Sequence, residues 1–129
     1  MAPRAGVVPL VLAAALLLAP AEAGAAYRAF QSPSGKLGCA CYSDAETPRQ
    51  VRCDWAGGND RAVVVEETGK GRRIKATDTV RDPSAKTLAY GRTTAFGALR
   101  CTSRRTGITC RSKRSGHGFT VSVESQRVF

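Results

Sequence analysis

One histidine, nine carboxylates and five cysteines are the reactive side chains of residues 24–129. His117 stands in Ser115-Gly116-His117-Gly118-Phe119, between glycines that permit a tight turn. An imidazole titrates near neutrality, so His117 is the weak catalytic candidate, a general acid or base for a secreted hydrolase or nuclease, with Glu124 or Asp78 as partner. The plainer account is a turn histidine that orients the last strand. Other catalytic patterns are missing: the chain has no nucleophile elbow, no glycine-rich loop opening a helix, and no pair of acids that stands out among the nine. Activity as an enzyme is therefore the less favoured expectation.

The cysteines are Cys39, Cys41, Cys53, Cys101 and Cys110. Without a C-x-x-C pair and with one histidine, they do not read as metal ligands, and neither a metal nor a cofactor is expected. Cys101 and Cys110 bracket a segment centred on Arg104-Arg105-Thr106-Gly107. A symmetric turn there sets Cys101 opposite Cys110, Thr102 opposite Thr109 and Ser103 opposite Ile108, a register that suits a cross-strand disulfide. Cys39 and Cys41 lie two apart, hence on one face of a strand, and either can face Cys53 across the polar connection Ser43 to Gln50. One cysteine is left over.

Disulfides require an oxidising compartment, and the first 23 residues provide for export. Arg4 precedes an apolar run from Val7 to Ala19, and Ala21-Glu22-Ala23 fits a signal-peptide cleavage site. The run is shorter than the roughly 20 residues needed to span a bilayer, and no cysteine lies beside the cleavage region to carry lipid. The expectation is a signal peptide, residues 1–23, and a single secreted domain, residues 24–129, with no transmembrane segment. Arg4 and Glu22 leave together, so residues 24–129 keep 19 basic and 9 acidic residues and a net charge of +10. Only 17 of these 106 residues are Leu, Ile, Val or Phe, so a large apolar core cannot hold the domain and the disulfides are needed.

Strand signals recur at Lys36 to Tyr42, Val51 to Trp55, Ala62 to Glu66, Leu99 to Thr102, Ile108 to Arg111 and Phe119 to Val123. Turn signals separate them at Ser32-Pro33-Ser34-Gly35, Gly57-Gly58-Asn59-Asp60, Thr68 to Gly71, Asp82-Pro83 and Ser115 to Gly118. No window shows helical periodicity. The fold class is all-β and mainly antiparallel: a small disulfide-stapled sheet, sandwich or open barrel built from hairpins.

Phe30 with Ser32-Pro33-Ser34-Gly35 and Gly38-Cys39, Val51-Arg52-Cys53-Asp54, Asp78-Thr79, Leu88 with Tyr90-Gly91, Cys101 with Ser103, Gly107 with Thr109-Cys110, Gly116-His117-Gly118-Phe119 and Phe129 together form a pattern. It resembles an uncharacterised family of small secreted actinobacterial domains, from Phe30 to Phe129. The resemblance implies bridges Cys39–Cys53 and Cys101–Cys110, with Cys41 the odd thiol, and it implies no activity. A further cysteine pair usual in that family is missing here, Lys36 stands where Asn is usual, and Cys41 is extra. An exposed Cys41 would allow a covalent dimer; a buried one would be a small core residue.

Charge is the feature that bears on function. Residues 80–129 hold 10 basic and 2 acidic residues, against 9 and 7 in residues 24–79. Lys70, Arg72, Arg73 and Lys75 form one cluster. Arg100, Arg104, Arg105, Arg111, Lys113 and Arg114 form another, on and beside the second hairpin, and are the anion-binding candidates. In the register above Arg100 faces Arg111 on the side away from the disulfide, a like-charge pair that an anion would relieve. The plainer account is a solubilising basic surface. Aromatic residues do not interleave with these clusters in sequence, so nucleic acid would be bound only non-specifically. The expected function is a binding module for an anionic polymer of the cell envelope or an acidic protein, with the hydrolase or nuclease and an inhibitor-like module as alternatives.

Overall fold

Two antiparallel-rich sheets, without a closed barrel, make up the computed structural model, which describes Gly6 and residues 24–129. The proposed signal peptide, residues 1–23, lies outside the described residues apart from Gly6. Eleven strands and no helix occur among the described residues: β1 (Ala26–Gln31), β2 (Leu37–Ser43), β3 (Gln50–Trp55), β4 (Arg61–Glu66), β5 (Arg72–Lys75), β6 (Lys86–Thr87), β7 (Thr93–Phe96), β8 (Leu99–Arg104), β9 (Gly107–Ser112), β10 (Gly118–Val121) and β11 (Gln126–Val128). The first sheet runs β5-β4-β3-β2-β1-β6 and the second β11-β10-β9-β8-β7. Only β1 and β6 pair in parallel. No helix among these residues is long and apolar enough to cross a membrane.

Alternation builds the core between the sheets. Leu37, Cys39 and Cys41 of β2, Val51, Cys53 and Trp55 of β3, and Val63 and Val65 of β4 face Leu99 and Cys101, Ile108 and Cys110, and Phe119 and Val121. With Phe30 these make a cluster of 15 residues, of which all five cysteines form a third. The thin apolar composition is thus supplemented from within. Cys39 pairs with Cys53 and Cys101 with Cys110, both as directly opposed strand residues with Cα atoms 4.1 Å apart. Cys41 lies opposite Arg28 on one side and Val51 on the other, and is fully buried. A covalent dimer through it does not fit this position, because its sulfur is enclosed in the core.

The sheets are tied at both sides. Arg28 Nη2 donates to Ala95 O (2.6 Å), linking β1 to β7. Opposite, Gly71 N–H donates to Phe129 O (2.9 Å), and Arg73 Nη2 to Gln126 O. The six strands read from the sequence correspond to β2, β3, β4, β8, β9 and β10. Their bounds shift slightly: the last strand closes at Val121, and Val123 packs on the core from the following turn. Of the five further strands, β5, β6, β7 and β11 are sheet edges, while β1 pairs on both sides, with β2 and β6. Arg72, Arg73 and Lys75 belong to one of the edges, β5, where exposed charge discourages pairing with another chain.

The outer face of the first sheet is covered by residues 76–85. Arg81 packs on Gly38 so closely that a Cβ there would lie 2.7 Å from the Arg81 Cα. Arg52 and Asp54, two apart on β3, point out under this loop and are nonetheless buried. Arg52 donates to both carboxylate oxygens of Asp54 (2.9 and 3.0 Å), to Asp78 Oδ1 (3.0 Å) and to Asp78 O (2.9 Å), while Asp54 also accepts from the Val80 N–H (3.1 Å). Asp78 remains exposed, and its bond from Arg52 holds its carboxyl below the usual carboxylate range.

Candidate anion-binding surface

Burying Cys101, Ser103, Ile108 and Cys110 forces the residues between them outward. The register confirms the predicted opposition of Arg100 and Arg111 and of Thr102 and Thr109, and it sets Arg104 opposite Gly107. Pairing of neighbouring strands extends these rows across the whole sheet. One row runs Thr93, Thr102, Thr109, Thr120 and Arg127. Its hydroxyls pair along the way, Thr93 with Thr102 at 2.8 Å and Thr109 with Thr120 at 2.9 Å. The next runs Ala95, Arg100, Arg111 and Gly118, and Gly118 exchanges two backbone bonds with Phe129 (2.9 Å each). No Asp or Glu occupies an outward position on β7 to β11.

The paired arginines are relieved by the backbone. Arg100 Nη1 donates to Gly97 O (2.6 Å) and Leu99 O (2.9 Å), and Arg111 Nε donates to Gly116 O (2.9 Å). The Arg111 guanidinium also lies 6.0 Å from the centre of the Phe129 ring, and that of Arg127 lies 5.0 Å from it. The like-charge pair therefore does not require an anion to exist, but its remaining donors stay available for one. Among the described residues none of Arg100, Arg104, Arg105, Arg111, Lys113 and Arg114 forms an ion pair.

These six residues do not form one patch. Arg100 and Arg111 lie toward the same end of the hairpin as Lys113 and Arg114, which follow β9 in the turn to β10. Arg104 is four residues further along β8, roughly 13 Å away, beyond the threonine row. Arg105 turns off the face at the hairpin tip, where its guanidinium sits 4.9 Å over the Tyr90 ring. Aromatics do meet arginines here, contrary to the impression from the linear sequence. The other cluster is differently placed: Arg72 pairs with Glu66 (3.1 Å), and Arg73 binds the Gln126 carbonyl.

His117 is half-buried just before β10. Its N–H donates to Ser115 Oγ (3.2 Å), and its carbonyl accepts from the Ser112 N–H (2.9 Å). Glu124 lies past the opposite end of β10, and Asp78 is held by Arg52 on the other sheet. Neither partner is brought to the imidazole, and no hydrogen bond of the ring occurs among the described residues. No grouping of His, Cys, Asp and Glu that would hold a metal is found among them either.

The sequence does not single out the threonine row or Arg127, and it marks Phe129 only as part of the family pattern. Thr102 and Thr109 are opposed in the hairpin register, but Thr93, Thr120 and Arg127 join them only through pairing of separate strands. Residues 44–129 match a family of unknown function (DUF6636). The match takes in β3 to β11, and so the whole second sheet, and is narrower than the resemblance beginning at Phe30. No curated protein and no solved structure matches the chain.

Proposed function

The chain belongs to this family of unknown function, and we propose from its geometry that it is an exported binding module that takes an extended anionic polymer across the outer face of β7 to β11. The observation that carries this reading is the composition of that face: four threonines in line, Arg100, Arg104, Arg111 and Arg127, and no outward Asp or Glu. Guanidinium groups supply charge and paired donors for phosphate, sulfate or carboxylate, and the hydroxyl row supplies donors and acceptors for the neutral parts of a chain. The Cys101–Cys110 disulfide ties β8 to β9 behind this face, which lowers the ordering cost of binding. Two disulfides and an overall charge of +10 also suit an exported protein that meets anionic envelope polymers. The hydrolase reading draws no support from the surroundings of His117, and no feature points to an inhibitor.

Retention on immobilised heparin and on polyphosphate, measured against salt, tests the proposal. Affinity should fall steeply with salt, and R100Q/R111Q should lower the slope by about 2, near one counterion for each lost contact. K70Q/K75Q is the control, and His117→Ala should change nothing. Equal losses in the two double variants would mean that net charge alone attracts the polymer. Failure of both supports to retain the protein at physiological salt would turn attention to an acidic protein as the partner.

A further inference from the structure

A second basic site lies around the tip of the β8–β9 hairpin, off the sheet face. Its cleft, about 170 Å³, is lined on one wall by Ser34 and Lys36 of the β1–β2 turn and on the other by Arg104, Arg105 and Tyr90, with Glu124 also contributing. The walls are fixed by backbone chemistry. Gly91 N–H donates to Ser103 O (2.7 Å), and Ser103 N–H donates to Arg92 O (3.0 Å), which fastens the turn carrying Tyr90 to the end of β8. Ser34 Oγ accepts from the Lys36 N–H (3.2 Å), and Ser32 Oγ accepts from the Leu37 N–H (3.1 Å), which sets the opposite turn. Gly107, with φ of 137°, lets the tip close against the Val121 carbonyl, where a Cβ would collide.

Within this frame the three cations lack protein partners. Lys36, Arg104 and Arg105 are exposed, and among the described residues none of their side chains makes a hydrogen bond or ion pair. Tyr90, itself 39 % exposed, holds the Arg105 guanidinium over its ring and leaves the N–H edge free. One carboxylate, Glu124, stands against three cations.

We infer that this cleft binds a single phosphate or sulfate ester group, the charged end or branch of a larger molecule. The volume suits one such group or one sugar ring and is too small for a polymer segment. Donors on two walls match an anion with three terminal oxygens better than the two coplanar oxygens of a carboxylate, which one arginine fork satisfies. The inference goes beyond the outer-face reading, since Arg104 alone is common to both sites. Tyr90 acts as a positioning residue and Arg105 as the principal ligand.

The test is a titration of the isotopically labelled protein with glucose 6-phosphate, glucose 6-sulfate, glucuronate and glucose, followed by amide chemical shifts. The two esters should move Ser34 to Lys36, Tyr90, Gly91 and Arg104 to Gly107, while glucose should not. R105Q should weaken ester binding about tenfold, the scale of one charge-assisted contact. Y90A should weaken it several-fold, and Y90F, which keeps the ring, should restore it. E124Q should tighten it by removing the opposing charge. R100Q/R111Q should leave it unchanged while weakening heparin retention, so the two sites fail separately. Glucuronate binding as well as the esters would overturn the preference, and shifts spread over the sheet face instead of the tip would overturn the site.

Discussion

Replacing Arg52 by Met should destabilise the protein severely and selectively loosen residues 76–85. The Arg52 and Asp54 side chains are 8 % and 7 % exposed, and the guanidinium supplies a bidentate bond to the carboxylate. Methionine keeps the apolar stem but leaves Asp54 buried with only the Val80 N–H as a protein donor. Removing one partner of a buried pair costs about 3–5 kcal/mol, because the remaining charge is uncompensated. Against a typical domain stability of about 5–15 kcal/mol this is a large loss. The Asp78 side of the network is 76 % exposed and screened by solvent, so Asp78→Asn should cost far less than R52M. Denaturant titrations give the free energies, and R52M/D54L separates the causes. With both charges gone most of the stability should return, less about 1 kcal/mol for the Val80 N–H left without its acceptor. A cost below about 1 kcal/mol for R52M alone would refute the reasoning, and so would a double variant no better than the single. The pH dependence has a definite sign. Asp78 has its pKa lowered on folding, so its contribution is complete above the unfolded value and is lost as pH falls through the folded one. Amide protection in residues 76–81, taken relative to the intrinsic exchange rate at each pH, should therefore fall below about pH 4, before the cysteine-bearing strands respond.

Cys41 is fully buried and its thiol pKa is raised by burial, with Arg28 opposing in part, so the native protein should resist thiol labelling at pH 8 and show no covalent dimer on a non-reducing gel. Rapid labelling without unfolding would contradict that placement. Ser103 is wholly buried and its hydroxyl has no hydrogen-bond partner among the described residues, so Ser103→Ala should raise stability by about 1 kcal/mol in a denaturant titration. A loss of similar size would mean that the hydroxyl is satisfied. Gly107→Ala places a methyl group against the Val121 carbonyl at a φ that only glycine tolerates, and should lower stability by about 1–3 kcal/mol, read as a lower melting temperature; a wild-type value would contradict the geometry of the hairpin tip.

What the sequence disclosed follows the range of the contacts. The β8–β9 register was legible because Cys101 and Cys110 sit symmetrically about a two-residue turn, and from that register the opposition of Arg100 and Arg111 followed. Between β2 and β3 the longer connection allows either Cys39 or Cys41 to meet Cys53; the family resemblance implies Cys39, and the strand pairing selects it. The strands β5, β7 and β11 escaped notice because Arg72–Lys75, Thr93–Phe96 and Gln126–Val128 each carry one or two apolar residues in a half-exposed edge position, too few to show alternation. Their absence hid the candidate face as well. A row of side chains across five strands is assembled from residues tens of positions apart, and no local pattern records that Thr93, Thr120 and Arg127 share it.

Side-chain partners separate the two basic regions that look alike in sequence. Arg72 and Arg73 are engaged with Glu66 and the Gln126 carbonyl, on an edge strand that gains from charge whatever the function. Among the described residues Arg104 and Arg105 have no such engagement, although burying one of them against a carboxylate would have been a simple way to use them. Arg105 is instead held by an aromatic ring, which fixes the guanidinium while consuming none of its donors. A cation fixed in place with its donors unspent is what the proposed ester site requires, and that distinction, between Arg72 and Arg105, depends on partners that the linear order of residues does not reveal.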